Sequence, residues 1–407
     1  MSLFNQLPQD YRILFLDMDS FFASCEEQMC PQLRGKPIGV VPEIVPTTCV
    51  LSASYVAKHR GVKTGTLVGE AQRLCPDITF VAARPGIYKQ IHYQIVDILN
   101  KISPWVYAKS IDEFAMVLGA SERNLYSANS TGHTIKTQFF EKLGPYITTS
   151  IGFGPNQFLA KVASEMEKPN GLTHITIHNY QARLSSLELT DLPGIARATE
   201  RRLHAEDIYT VEQLLNLSAQ TLRRLFGFMG EVWWYRLHGI EVDDVEHNRS
   251  SIGHSHILPP SWRTPEKARQ VLQRLVHKTG QRLRKEGFFA RHTALAVKYL
   301  GAPSFHAYAR TQYYRDTHTM VELAEALFAH RPPTFKPILG LVFTLSDLKY
   351  YPALPQNLFP EINKPLQLTY ALDAINDTYG RDTIFQSSML QAKHTAPDRI
   401  PFGEVRY

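Results

Sequence analysis

Long apolar runs are missing from this 407-residue chain. The longest, such as Ile13 to Leu16, fall far short of the ~18 residues needed to cross a bilayer. Residues 1–10 lack a basic start followed by an apolar stretch, so no secretory leader is expected and the chain reads as soluble, unexported and cytoplasmic. Cysteine is scarce as well. Cys25, Cys30, Cys49 and Cys75 show no C-x-x-C spacing and all lie in the first fifth of the sequence, which argues against a disulfide framework or a zinc ribbon and fits a reducing compartment. Tandem repeats and low-complexity tracts are absent too. With 44% apolar residues the chain can bury a substantial core, so disorder is excluded as its dominant state, and ~100 to 200 residues per domain gives two to four domains.

Acidic residues are almost absent from one segment. Residues 251–300 hold ten Lys or Arg against two acids, while the rest of the chain is near balance, so the net charge of +6 has its source there. Confined positive charge is the footprint of a polyanion partner, because each neutralised phosphate releases condensed counterions; a solvated helix face is the plain alternative.

Apolar patterning gives an α+β chain of several domains. Residues 11–17 read as a buried strand ending in a carboxylate, 86–102 as an amphipathic helix, and 111–118 as a strand with Asp112 and Glu113 near its start. A helix ending at Leu143, a strand over 146–152 and a helix over 155–167 follow, and the turn at Lys168-Pro169-Asn170-Gly171 marks a domain boundary. Residues 184–240 form short helices, and an acidic linker lies near 241–246. A basic helix over 265–285, a strand over 293–299, a helix over 319–330 and a strand over 338–345 make a βαβ-like unit, before a Pro-rich segment and a helix over 366–379.

Asp17, Asp19, Asp112 and Glu113 stand at strand ends among apolar residues, a costly placement unless a cation compensates them. Mg²⁺, with Mn²⁺ as an alternative, takes oxygen ligands and shares carboxylates with substrate phosphates, so converging Asp17 and Asp112 could hold two ions about 4 Å apart for in-line phosphoryl transfer. Neighbouring residues of a regular strand point to opposite faces, so Asp112 and Glu113 reach one site only if the strand begins or bends there. Solvated acids capping strand ends are the alternative.

The ordered motifs Asp17-Met18-Asp19-Ser20-Phe21-Phe22, Ser110-Ile111-Asp112-Glu113 and Ser150-Ile151-Gly152-Phe153-Gly154-Pro155-Asn156, with Leu159-Ala160-Lys161 and the 168–171 turn, resemble the Y-family translesion DNA polymerases of the bacterial DinB/UmuC-like type. The resemblance implies a right-hand polymerase with a palm of mixed or antiparallel sheet plus helices (11–20 and 84–170), fingers (21–83), a helix-hairpin-helix thumb (171–243), a linker (244–250), a βαβ-type little finger (251–350) and a C-terminal tail (351–407). It makes Asp17, Asp112 and Glu113 the catalytic metal ligands, with the Met18 carbonyl as a backbone ligand, and gives Asp19 no metal role. Phe21, Phe22, Tyr55, Lys58 and Lys161 fall at nucleotide-contacting positions, Phe22 as the steric gate whose ring collides with a 2′-hydroxyl. Cys49 and Leu51 are expected over the nascent pair. Lys58 stands where many members carry arginine, a point charge in place of a planar fork.

Residues 189–199 read as a helix-hairpin-helix holding a phosphate near Gly194 and Ala196; alanine replaces the usual second glycine and would be strained if its backbone had to be left-handed. Arg282, Arg284, Lys285 and Arg291 are expected at the primer-template backbone. Gln356, Leu358 and Phe359, in Pro355-Gln356-Asn357-Leu358-Phe359-Pro360, resemble the peptides by which bacterial polymerases dock on a sliding clamp. The expected function is low-fidelity, template-directed addition of deoxynucleoside triphosphates past lesions in DNA repair. A catalytically silent DNA- and clamp-binding scaffold is the alternative. A nucleotide cyclase would leave the hairpin and the basic segment unexplained.

Overall fold

The computed structural model describes residues 11–242, 250–350, 360–380 and 382–396, which divide into two compact units, 11–242 and 250–396. In the first, β1 (Ile13–Met18) is buried at all six positions, as a continuous apolar run requires when both faces of a sheet are covered. After it come α1 (Phe21–Met29), then β2 (Ile38–Val41), β3 (Ser52–Ala53), α2 (Tyr55–Lys58), α3 (Val68–Leu74) and β4 (Thr79–Ala82). Strands β2, β3 and β4 make a small sheet with its own core around Val41, Val50, Ala57, Val62 and Ala71.

The chain continues through α4 (Pro85–Ile102), β5 (Val106–Ala108), β6 (Glu113–Val117), α5 (Leu125–Leu143), β7 (Thr149–Gly154), α6 (Gln157–Met166) and β8 (Leu172–His174). The main sheet has the order β5-β6-β1-β7-β8, with β1 central and antiparallel to both β6 and β7. Strand alternation sends Leu14, Leu16 and Met18 into a core with Tyr88, Ile95, Phe114 and Phe139, and sends Ile13, Phe15 and Asp17 toward α6. Gly152 and Gly154 let α6 lie close on β7: a Cβ at these positions would come within 2.0 Å of the Ala160 carbonyl oxygen and 2.5 Å of the Ala160 nitrogen.

β7 starts at Thr149, not at 146, because the chain turns through Gly144, whose φ is 102°. The turn at 168–171 is not a boundary either, since β8 follows it and pairs in parallel with β7. Five short helices, α7 (Tyr180–Ser185), α8 (Arg197–His204), α9 (Val211–Leu215), α10 (Ala219–Phe226) and α11 (Phe228–Leu237), share a core that includes Leu159 and Val162 of α6.

The second unit runs β9 (Ser251–Ile257), α12 (Pro265–Lys285), β10 (Phe288–Tyr299), β11 (Ala302–Tyr314), α13 (Thr317–Ala329), β12 (Ile338–Ser346), β13 (Lys349–Tyr350) and α14 (Pro360–Tyr379). Its antiparallel sheet, ordered β11-β10-β12-β9, buries Ile252, Leu295, Val297, Leu341 and Phe343 with residues of α12 and α13. The expected βαβ unit is therefore a β-α-β-β-α-β arrangement in which β12 lies between β9 and β10, and β9 and β11 are additions to the sequence reading.

The described part of the expected tail is docked. Arg284 makes a forked pair with Asp373 of α14, at 2.5 and 3.0 Å, Arg274 pairs with Asp382, and the Lys278 ammonium donates to the Ala396 carbonyl at 2.6 Å. Among the described residues no helix is long and apolar enough to cross a membrane.

Candidate active site

Asp17 and Glu113 are cross-strand partners in the β1–β6 register, so their side chains leave the sheet on the same face. Asp112 precedes β6 and is fixed by its own carbonyl, which accepts from the Met18 amide at 2.9 Å, and by Ser110, whose hydroxyl donates to its Oδ1 at 2.5 Å. The strand thus begins between the two acids, the condition under which both can serve one site. Burial raises the pKa of Asp17 well above the ordinary carboxylate range, and burial with the adjacent Glu113 raises that of Asp112.

Lysines from the α6 side meet these acids. Lys168 lies 2.5 Å from Asp17 Oδ1 and 2.9 Å from Glu165, while Lys161 pairs with Glu113. Burial alone would lower the Lys168 pKa, but Asp17 and Glu165 outweigh it and hold the ammonium charged. Lys168 and Glu165 are site residues that the sequence reading missed. Glu165 stands one helical turn after Lys161 on the same face of α6, a local signal, whereas Lys168 lies beyond the helix end in the turn that was read as a boundary. Among the described residues no group of three acid, imidazole or thiol side chains is gathered as a metal cluster, and Asp17 and Glu113 are each paired with a lysine.

Across from α6, Ser20 takes a left-handed backbone (φ 48°, ψ 44°) and its hydroxyl is buried without a hydrogen-bond partner, while α1 starts with no side-chain cap. Phe22 stacks on Tyr88, with ring centroids 4.5 Å apart and planes 14° apart. The Tyr88 hydroxyl donates to Glu26 at 2.7 Å, and Arg84 also holds Glu26. Phe21 is buried beside Phe22. The Lys58 ammonium sits 4.5 Å from the Tyr55 ring centre, and burial together with nearby Lys168 lowers its pKa. Burial, then Asp19, raises the Tyr55 pKa. Cys49 and Leu51 are half-buried near this end.

In the hairpin, Gly194 carries the positive φ (90°) and Ala196 is extended (φ −98°), so the alanine costs nothing. A groove of about 670 Å³ runs between α6 and the hairpin, lined by Lys161, Glu165, Thr190, Leu192, Gly194 and Ala196. Two of the expected DNA contacts fare differently in the second unit. Arg284 is buried against Asp373 of α14, while Lys285 stays exposed and pairs at the surface with Asp377 at 2.9 Å. Arg282 pairs with Glu286, one turn on, and Arg291 donates to the Thr311 carbonyl. Gln356, Leu358 and Phe359 lie outside the described residues.

Comparison with solved structures defines the class. The chain superposes on a Y-family DNA polymerase chimera of Dbh and Dpo4 (TM-score 0.69, 23% identity, 83% of this chain and 99% of the other) and on an insertion ternary complex of Dbh DNA polymerase (TM-score 0.53, 23% identity, 82% and 98%). The fold is that of a Y-family polymerase. Residues 16–165 match the impB/mucB/samB family and residues 249–358 its C-terminal domain. DNA polymerase IV of Moorella thermoacetica is 31% identical over 392 residues (94% of this chain, 96% of that one), and DNA polymerase IV of Pelotomaculum thermopropionicum 30% over 385 (93% and 95%). The chain belongs to the DinB-like Y family of translesion DNA polymerases and is a DNA-directed DNA polymerase.

Proposed function

We propose that the protein adds deoxynucleotides to a primer 3′ end opposite a template strand, with the low fidelity of translesion synthesis in damage tolerance, and that it does so in the cytoplasm. The observation that carries this is the placement of Asp17 at the end of β1 directly across from Glu113, with Asp112 bonded through its carbonyl to the Met18 amide, at the sheet end where Lys161 and Lys168 reach the carboxylates. Asp17 is buried and Asp112 half-buried, and desolvation raises both pKa values, so the site calls for cationic compensation, and an all-oxygen donor set suits Mg²⁺. Asp17, Asp112 and Glu113, with the Met18 carbonyl, are the groups that would hold it. Bound there, the metal supplies a lowered pKa at the primer hydroxyl and charge stabilisation on the leaving pyrophosphate.

The chain's own groups account for the rest. Lys168, Lys58, Tyr55 and the first turn of α1 take the triphosphate, as ammonium groups, a phenol and backbone amides do. Lys161 shares this duty only once it leaves Glu113. Phe22, backed by Tyr88, stands under the sugar and rejects a 2′-hydroxyl. The hairpin around Gly194 takes a backbone phosphate. In the second unit the sheet face away from α12 and α13 presents His306, Tyr308 (85% exposed) and Arg310 at alternate positions of β11, with Lys298 on β10, and this face suits duplex backbone better than α12 does. The Gln356 to Phe359 peptide is proposed as the clamp contact.

Primer extension with Mg²⁺ and all four deoxynucleotides, beside an Asp112→Ala control, tests the reading. Extension by the wild type alone supports it. Extension by neither points to the silent scaffold, and extension by both removes Asp112 from the mechanism.

A further inference from the structure

Asp19 has no task in the proposed chemistry, yet its carboxylate is buried, with the residue 1% exposed. Its Oδ1 accepts from the Tyr55 hydroxyl at 3.3 Å and from Ser150 Oγ at 2.8 Å; its Oδ2 accepts from Thr148 Oγ1 at 2.9 Å and from the Asn170 amide at 2.8 Å. A carboxylate offers about four acceptor sites, so these donors use it fully and leave no lone pair for a metal ion. Its main chain is pinned as well: the Asp19 amide donates to the Thr148 carbonyl at 3.0 Å, and its carbonyl accepts from Ser24 Oγ at 2.6 Å.

The donors come from separate pieces of chain. Tyr55 opens α2, Thr148 and Ser150 belong to β7 and its lead-in, and Asn170 sits in the turn that carries Lys168. That turn is held from its other side by Lys136, whose ammonium donates to Asn170 Oδ1 at 3.0 Å and to the Gly171 carbonyl at 2.9 Å. Burying a carboxylate costs several kcal/mol unless it is fully hydrogen-bonded, as this one is, and full bonding makes the cluster stiff.

We propose that Asp19 is a positioning residue for the incoming nucleotide: its carboxylate sets the span between the Tyr55 hydroxyl and the Lys168 turn, so that both meet one triphosphate. The inference rests on the reading of Tyr55 and Lys168 as triphosphate contacts. It separates Asp19 from Asp17 and Asp112, which face the reacting atoms.

The test uses Asp19→Asn in the full chain. Asparagine can turn its oxygen to the Asn170 amide, which cannot reorient, and its NH₂ to the hydroxyls, which must then accept where they donated; the turn survives while the Tyr55 bond is inverted and loses its charge assistance. The nucleotide KM is expected to rise about tenfold with kcat within about threefold, because binding geometry is disturbed and the metal ligands are not. Primer-template affinity stays at the wild-type value. Tyr55→Phe raises KM by itself, and the double variant raises it by less than the product of the two, since both remove one interaction. Thr148→Val, which deletes one donor and keeps the carboxylate, gives a smaller rise in the same direction and decides the matter if Asp19→Asn folds poorly. An unchanged KM overturns the proposal, as does a lowered Tm accompanied only by a smaller kcat, or full multiplicativity with Tyr55→Phe. If the wild type extends primers, Asp112→Ala does not, and Asp19→Asn matches the wild type, this inference fails alone. If Asp112→Ala still extends primers, the reading of the whole site fails.

Discussion

Lys168 and Asp17 stand 2.5 Å apart, and the same ammonium lies 2.9 Å from Glu165, which also shares a hydrogen bond with Asp17. Lys168→Ala leaves Asp17 buried beside Glu165 without the ammonium that pairs with both. Breaking a buried pair from one side costs about 3 kcal/mol, so the metal-free variant should melt well below the wild type, and its nucleotide KM should rise more than about tenfold. Differential scanning calorimetry and single-nucleotide kinetics read the two effects. A variant with wild-type Tm and KM would show that Lys168 is an idle surface group.

Asp112 predicts a pH-dependent gain. Its folded pKa is raised by burial and by Glu113, above its value in the unfolded chain. The ionised form is therefore penalised by folding; that penalty is full above the folded pKa, fades as pH falls through it, and is gone below the unfolded value. Asp112→Asn, inactive in primer extension, should have a higher Tm than the metal-free wild type at pH 7, and the difference should close in the carboxylate range. A Tm gap that widens on acidification contradicts the assigned sign.

Phe22→Ala should admit ribonucleotides. Pocket discrimination by size or a single hydroxyl is worth roughly 10- to 200-fold, so the ratio of ribo- to deoxynucleotide incorporation should rise within that range. Tyr88→Leu, which removes the stacked ring beneath Phe22, should give part of this rise. Steady-state incorporation of matched nucleotide pairs measures both, and unaltered selectivity in Phe22→Ala would rule out the gate.

Arg284 and Arg310 should separate stability from DNA binding. Arg284→Ala strands Asp373 and should destabilise the second unit by about 3 kcal/mol, whereas Arg310→Ala, on the open sheet face, should leave Tm alone and lower the slope of log Kd against log salt by about one. Thermal melts and salt-titrated anisotropy distinguish them. The opposite pattern would return α12 to the DNA.

What sequence reading reached, and what it missed, follows from the range of the forces involved. The helix Pro265–Lys285 was legible to its end residues because Thr264 caps it and Pro265 stands at its first position, both local signals. Strand β1 and its terminal acid were legible as an apolar run halted by charge. Strand β11 was not, since its inward positions include Ala307 and Ala309 and its outward ones His306 and Tyr308, a weak contrast for an edge strand. β9 carries His254 and His256 on a polar background, a pattern without the apolar alternation that marks a strand. Arg284 could not be assigned from its neighbourhood because its partner, Asp373, lies 89 residues on, so a basic stripe looked free that the fold covers. The same distance in sequence hid Lys168, which meets Asp17 across 151 positions.

The docking of α14 changes what a deletion would mean. Tyr350 is paired to β10, and α14 is bonded to the same unit through Asp373 and Thr369. Shortening the protein at residue 359 would therefore strip Arg274, Lys278 and Arg284 of the oxygens they bond, and would be read as a loss of folding in the second unit.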